Sequence, residues 1–178
     1  VQKRTIELLQ TIKLDYKTTI NIATNGNVKE SLYTAFNKLF ESIQVTFNGF
    51  TDFTVKMLSG LDFSAQIKFC EQAIKTHPVS VKFIITPLSL LELPLFLYWA
   101  LDKPFQHVII DAAYEPSKNY SQDNDWGVSM LATMIGFYWD DIFVRISKEV
   151  KSILTEKSEK IVQNDIVIMF SNEVEKRL

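Results

Sequence analysis

With one cysteine in 178 residues, Cys70, the chain can form no intrachain disulfide, and no pair of thiols stands at metal-binding spacing. On the apolar face of the segment 67–74, Cys70 reads as a small buried hydrophobe. Only two histidines occur, His77 and His107, and neither belongs to an HxxxH or HExxH pattern, so no metal is expected. The five glycines are scattered and build neither a GxxxxGK nor a GxGxxG loop, which removes the usual phosphate cradles and any nucleotide cofactor. No GxSxG elbow is present, and Cys70 has no neighbouring base or activating cation, so the chain is expected not to be an enzyme. A formal charge of -2 excludes a chain-wide polyanion-binding surface.

Long apolar runs are equally scarce. The most hydrophobic window, 79–101, approaches membrane-spanning length but carries Lys82, Glu92, Pro87 and Pro94, and reads as a buried or lipid-facing helical hairpin rather than a span. The N-terminal residues have neither an apolar signal core nor transit-peptide composition, which points to a cytoplasmic protein or a processed mature form.

What is present is 47% hydrophobic residues with few alternating runs, the composition of a helical protein. Ile6, Leu9 and Ile12 predict a first helix over 4–14. A short segment, 18–24, leads to the turn Asn25-Gly26-Asn27, and Asn27 with Glu30 suggests the cap of a third helix over 28–43. Further helices are expected over 53–60 and 63–77, the latter capped near Asp62 or Ser64 and stopped by Pro78. Ser89 with Glu92 gives a second capping-box pattern, and Pro94 should tilt or kink the helix it opens. Leu131, Ile135, Tyr138, Ile142, Ile146, Val150 and Ile153 mark the longest helix, on which the segment 159–178 could dock. Asp140 and Asp141 open a pattern resembling the magnesium-binding helix of terpene cyclases, but Val144 and Arg145 stand where its third acid belongs.

Between two apolar runs lies an acidic loop, 111–126, with Asp111, Glu115, Asp123 and Asp125 opposed only by Lys118 and closed by Trp126. Loops of this length in a compact domain tend to be either functional or disordered.

In the first forty residues Ile22, Ala23, Gly26, Leu32, Tyr33 and Phe36 resemble the helix-turn-helix of TetR-type regulators, the alternative being an ordinary trihelical core element. Lys17, Lys29 and Lys38 are its candidate DNA contacts, few for a duplex reader. The acidic loop is similar to the signature of the coenzyme Q biosynthesis family of the ninth Coq protein, through Asp111, Ser121, Asp123 and Trp126. Pro78, Val81, Phe83, Ile84, Ile85 and Pro87 extend the likeness upstream, while Gly127, Val128, Ser129 and Met130 replace the family's polar and cationic docking patch.

That resemblance implies an all-α, TetR-like bundle of about eight to nine helices, with a helix-turn-helix-like unit over 1–45 and a ligand-binding and dimerisation unit over 46–178. It also implies a non-catalytic protein that binds an isoprenoid or quinone lipid for ubiquinone biosynthesis, forms a homodimer, meets a quinone hydroxylase, and sits peripherally on an inner membrane, on its matrix side if mitochondrial. Leu90, Leu93, Phe96, Leu97, Trp99, Met134 and Phe137 would form the lipid wall, unless that run is simply the domain core. Asp111, Asp123 and Trp126 would shape the docking loop. The other reading is a ligand-responsive TetR regulator, a dimer binding DNA through its third helix.

Overall fold

A computed structural model describes residues 3–112 and 139–176. Its centre is a five-stranded parallel sheet whose spatial order, β1-β2-β3-β4-β5, is the order of the strands in the chain. The strands are β1 (Asn21–Thr24), β2 (Ser42–Phe47), β3 (Val79–Ile85), β4 (His107–Ala112) and β5 (Val167–Phe170). Helix α1 (Lys3–Tyr16) precedes the sheet, and α2 (Tyr33–Leu39) follows a short 3-10 turn, Glu30–Leu32, in the first crossover. The later crossovers carry α3 (Asp52–Ser59), α4 (Phe63–Ala73), α5 (Leu93–Leu101), α6 (Trp139–Glu156) and α7 (Ser158–Gln163), and α8 (Asn172–Glu175) closes the described chain.

Sequential order with parallel strands has a simple consequence. Crossovers of the usual right-handed sense place successive helices on one side of the sheet when every strand is added on the same side of its predecessor. This is the winding of a β/α-barrel wall, without the reversal that marks a doubly wound sheet. The strands show it directly, for in β2 Ile43, Val45 and Phe47 are buried while Ser42, Gln44 and Thr46 are half-buried. In β3 Val79, Val81, Phe83 and Ile85 are buried and Ser80, Lys82 and Ile84 are not. A strand covered on both faces would run continuously apolar; these alternate, in keeping with helices that, among the described residues, cover one face.

The core lies under that covered face. Phe83 stacks on Phe96 of α5 at 4.9 Å between ring centroids, and Trp99 meets Phe47 at 5.5 Å and Phe105 at 5.1 Å. Each fully buried aromatic contributes about 1.5–3 kcal/mol from burial alone. Thr51 caps α3 by accepting from the Thr54 amide, and Asp62 caps α4 by accepting from the Ala65 amide at 3.0 Å. Pro94 falls in the first turn of α5, where a missing N–H breaks no helical hydrogen bond, so it starts that helix rather than kinking it.

The all-α, TetR-like expectation is therefore wrong: the fold is α/β. Among the described residues no helix-turn-helix is formed near the N-terminus, since β1 pairs in parallel with β2, from Asn21 with Ser42 to Thr24 with Val45. The expected third helix, 28–43, divides into the 3-10 turn, α2 and the start of β2. Asn27 does not cap a helix; its N–H donates to Asn25 Oδ1 in a side-chain-closed turn. Gly26 turns the chain there with φ +74°, and a Cβ on it would lie 2.9 Å from Val45 Cγ1. The segment 79–85 of the supposed apolar hairpin is the central strand β3, and the C-terminal segment expected to be helical contains β5. Among the described residues, no helix is long and apolar enough to cross a membrane.

Candidate functional site

The face of the sheet turned away from the helices carries the polar chemistry. Strand register arranges it in rows: Ala23, Gln44, Ser80, His107 and Val167 lie side by side, and Thr46, Lys82, Ile109 and Met169 form the next row toward the carboxyl ends. Asp111 pairs with Ile84 one step further on. In sequentially wound β/α sheets, ligands gather at the carboxyl ends of the strands; here the charges stand at Lys82, midway along β3, and at Asp111, next to the last residue of β4.

Lys82 Nζ and Asp111 Oδ2 are 2.6 Å apart, an ion pair bridging the adjacent strands β3 and β4. Both side chains are partly open to solvent, 26% for Lys82 and 33% for Asp111, so the pair is reachable rather than sealed. Asp111 Oδ1 also accepts from the Ala112 amide at 2.9 Å. Partial burial pushes the Asp111 carboxyl up, but hydrogen bonds from Lys82 and Ser171, the Lys82 charge and the Ala112 amide outweigh it and hold the group below the ordinary carboxylate range. Ser171 follows β5, and its hydroxyl oxygen, though close enough to influence Asp111, is buried without a well-formed hydrogen bond.

The loops at this rim are held by side chains from beneath. Glu92 accepts from the Phe50 amide at 2.5 Å with one carboxylate oxygen and from the hydroxyls of Thr51 and Thr54, both at 2.6 Å, with the other. It thereby ties the loop after β2 to the start of α5. Gly49 has no room for a side chain, because a Cβ would sit 2.5 Å from Thr54 Cγ2. After β3, buried Ser89 accepts from the Thr86 amide and donates to the Ile84 carbonyl. Ser89 and Glu92 thus form no capping box, yet both of them fasten rim loops.

At the opposite end of the open face lies a cleft of about 300 Å³, lined by Asn21, Ser42, Gln44, Ser80, Gln106 and His107 with the backbone around them. Ser80 Oγ and His107 Nδ1 are 2.9 Å apart, and Ser42 donates to Asn21 Oδ1 at 2.8 Å.

The residues singled out from sequence are scattered by the fold. Leu90, Leu93, Phe96 and Leu97 are fully buried between α5 and the sheet, and Trp99 is partly buried in the same core. Asp111 lies on the open face; Asp123, Trp126, Met134 and Phe137 lie outside the described residues. Lys17 and Lys38 border a separate groove beside α1, where Lys13 bonds the Leu39 carbonyl at 3.0 Å and Glu41 at 2.8 Å, while Lys29 is exposed before the 3-10 turn. Lys82, Thr46, Gln44, Ser80 and His107 were missed; the signal was their alternation with Val, Ile and Phe, a period of two. Among the described residues, no group of three or more His, Cys, Asp or Glu side chains could hold a metal. Burial pushes the Cys70 thiol far up, so it is no nucleophile.

No family model matches the sequence, and no curated protein is significantly similar to it. Solved structures of Streptococcus suis SuiB share the fold. SuiB bound to S-adenosylmethionine superposes at a TM-score of 0.57 with 14% identity, covering 94% of this chain and 34% of SuiB. SuiB alone gives 0.61 and 12%, covering 94% and 36%, and SuiB bound to the precursor peptide SuiA gives 0.58 and 11%, covering 94% and 35%. The chain thus spans about a third of SuiB, and identity this low shows the fold alone. These neighbours overturn the likeness to the ninth Coq protein and with it the lipid-binding accessory role. The TetR-regulator reading fails with the helix-turn-helix that carried it. The expectation that the chain is not an enzyme rested on the missing nucleophile and phosphate-loop motifs, and it is contradicted by neighbours solved with S-adenosylmethionine and with a precursor peptide.

Proposed function

We propose that the open face of the sheet binds S-adenosylmethionine and that this chain is the β/α portion of an enzyme using it. The observation that carries the reading is the Lys82–Asp111 ion pair, which joins the middle of β3 to the carboxyl end of β4, in a fold shared with S-adenosylmethionine-bound SuiB. The amino-acid end of S-adenosylmethionine is a zwitterion, and two opposite charges at contact distance complement it. The Lys82 ammonium would meet the ligand carboxylate and the Asp111 carboxylate the ligand ammonium, so each charge exchanges one partner for another. Asp111 is suited to this, because its surroundings keep it ionised. When bound, S-adenosylmethionine supplies a carbon activated by its sulfonium centre. Chemistry that needs clustered thiolates is not supplied by these residues, since Cys70 is the only cysteine and is buried.

Isothermal titration of the full protein with S-adenosylmethionine tests the reading. Saturable binding is expected, weakened at least tenfold in Lys82→Ala and in Asp111→Asn. A folded wild-type protein that gives no binding would overturn it, as would binding indifferent to both substitutions.

A further inference from the structure

We infer that Ser171 is the positioning residue of the charged site: its hydroxyl holds the Asp111 carboxylate in place on the open face once Lys82 turns to a ligand. The exchange of partners rests on the S-adenosylmethionine reading; the placement of Ser171 beside Asp111 rests on the sheet alone.

The strand ladder sets the two residues side by side. His107 pairs with Val167, and there the Val167 amide donates to the carbonyl of Gln106, one residue before its partner. The Ser171 amide donates in the same way to the Ile110 carbonyl, at 2.9 Å. The ladder therefore runs one step past β5, and Asp111 and Ser171 are partners in it. Each lies an even number of residues beyond His107 or Val167, so both side chains rise from the same open face. Lys82 reaches Asp111 from the other side, from β3.

Ser171 stands where a hydroxyl ordinarily serves a helix. It is the N-cap residue of α8, with φ -66° and ψ 155°, and a serine there usually accepts from an amide of the first turn. No such cap bond forms. The hydroxyl oxygen is buried as well, and among the described residues it has no well-formed hydrogen bond. A buried polar group left open in this way is destabilising and needs a reason. Asp111 supplies one.

Lys82 occupies Asp111 Oδ2, and the Ala112 amide donates to Oδ1. When Lys82 turns to a ligand carboxylate, Asp111 loses its charged neighbour, and among the described residues the Ser171 hydroxyl is the side-chain donor left beside it. A hydroxyl donating to a carboxylate makes a strong bond, and this one needs only rotation of the hydroxyl toward Asp111. No second charge intervenes among the described residues. β5 carries no titratable side chain, His107 lies at the far end of β4, and Glu175 of α8 is exposed.

NMR titration of the Asp111 carboxyl tests the placement without any ligand, with Lys82→Ala standing in for a Lys82 turned away. Ser171→Ala is expected to raise the Asp111 pKa by roughly half a unit to one unit, the equivalent of one ordinary hydrogen bond, and by more in the Lys82→Ala background. Ser171→Thr, which keeps the hydroxyl, is expected to restore the original titration. If the alanine variant is unfolded by circular dichroism, Ser171→Gly replaces it, since glycine also suits an N-cap. An Asp111 titration that neither background moves overturns the inference. With S-adenosylmethionine, Ser171→Ala is expected to weaken binding about tenfold, to move the acid limb of the affinity to higher pH, and to add nothing in Asp111→Asn. An equal loss in the Asp111→Asn background would show that Ser171 does not act through Asp111, and would overturn it too. If S-adenosylmethionine fails to bind the wild type while Ser171→Ala still shifts Asp111, most strongly without Lys82, the wider reading falls and the role of Ser171 stands.

Discussion

The two faces of the sheet are built from alternate residues of the same strands, yet they follow opposite rules. Toward the helices stand Val45, Phe47, Val81, Phe83, Val108 and Ile110, all fully buried. Toward the open side stand Gln44, Thr46, Ser80, Lys82, His107 and Asp111, half-buried and rich in donors and acceptors. One backbone therefore serves stability on one side and recognition on the other. A one-residue shift in register would exchange them, so the apolar alternation fixes where the polar groups point.

Adjacent substitutions in β3 test this division most severely. Phe83→Ala, which empties a buried position stacked on Phe96, should destabilise the protein by about 3–5 kcal/mol in urea denaturation. Lys82→Ala, its neighbour in sequence, should cost under about 1 kcal/mol, because a partly exposed ion pair contributes little. Equal effects from the two would break the comparison.

Glu92 and Gly49 sharpen it at the rim, where the loops are polar but structural. Glu92→Ala should cost about 2–3 kcal/mol, since it leaves the Phe50 amide and the Thr51 and Thr54 hydroxyls without their acceptor. Gly49→Ala should cost about 1–3 kcal/mol through its clash with Thr54, readable as a lower Tm. An unchanged Tm in either variant would show that the loop after β2 is not held this way.

The smallest effect concerns acid. The folded Asp111 carboxyl titrates below its ordinary range, so its contribution to stability is complete above the unfolded value and disappears as pH falls through the folded one. Asp111→Asn should therefore lower stability slightly at neutral pH and flatten the acid limb of a stability-versus-pH profile, the two proteins converging at low pH. A steeper acid limb in the variant would contradict the depressed carboxyl.

The helices that cover the sheet were largely legible, since α1, α3 and α4 announce themselves by apolar spacing and by Asp62 as a cap. The strands were not, and the reason is specific. Ile43 completes an apparent helical stripe with Leu32, Phe36 and Leu39, yet it begins the alternation Ile43, Val45, Phe47 that the sheet uses. Asn21–Thr24 is too short to show a period, and becomes a strand only because β2 lies beside it. Asp111 stood out in sequence as part of an acidic loop, but its partner Lys82 lies 29 residues earlier in the middle of an apolar run. Nothing local connects them; the pairing of β3 with β4 does. Glu92 was noticed for the wrong bond, as a helix cap, because the loop it holds is distant in the chain.

The sequential strand order also sets a timetable for folding. Paired positions are separated by 21 residues between Asn21 and Ser42, 36 between Ile43 and Val79, 27 between Ser80 and His107, and 60 between His107 and Val167. A doubled loop adds only about 0.6 kcal/mol of closure entropy, too little to weaken the finished sheet but enough to delay its longest connection. As the chain leaves the ribosome, the first four strands can align in turn with their neighbours already present. β5 is the last of the five, so Ser171 completes the surroundings of Asp111 only after the other four strands have been made.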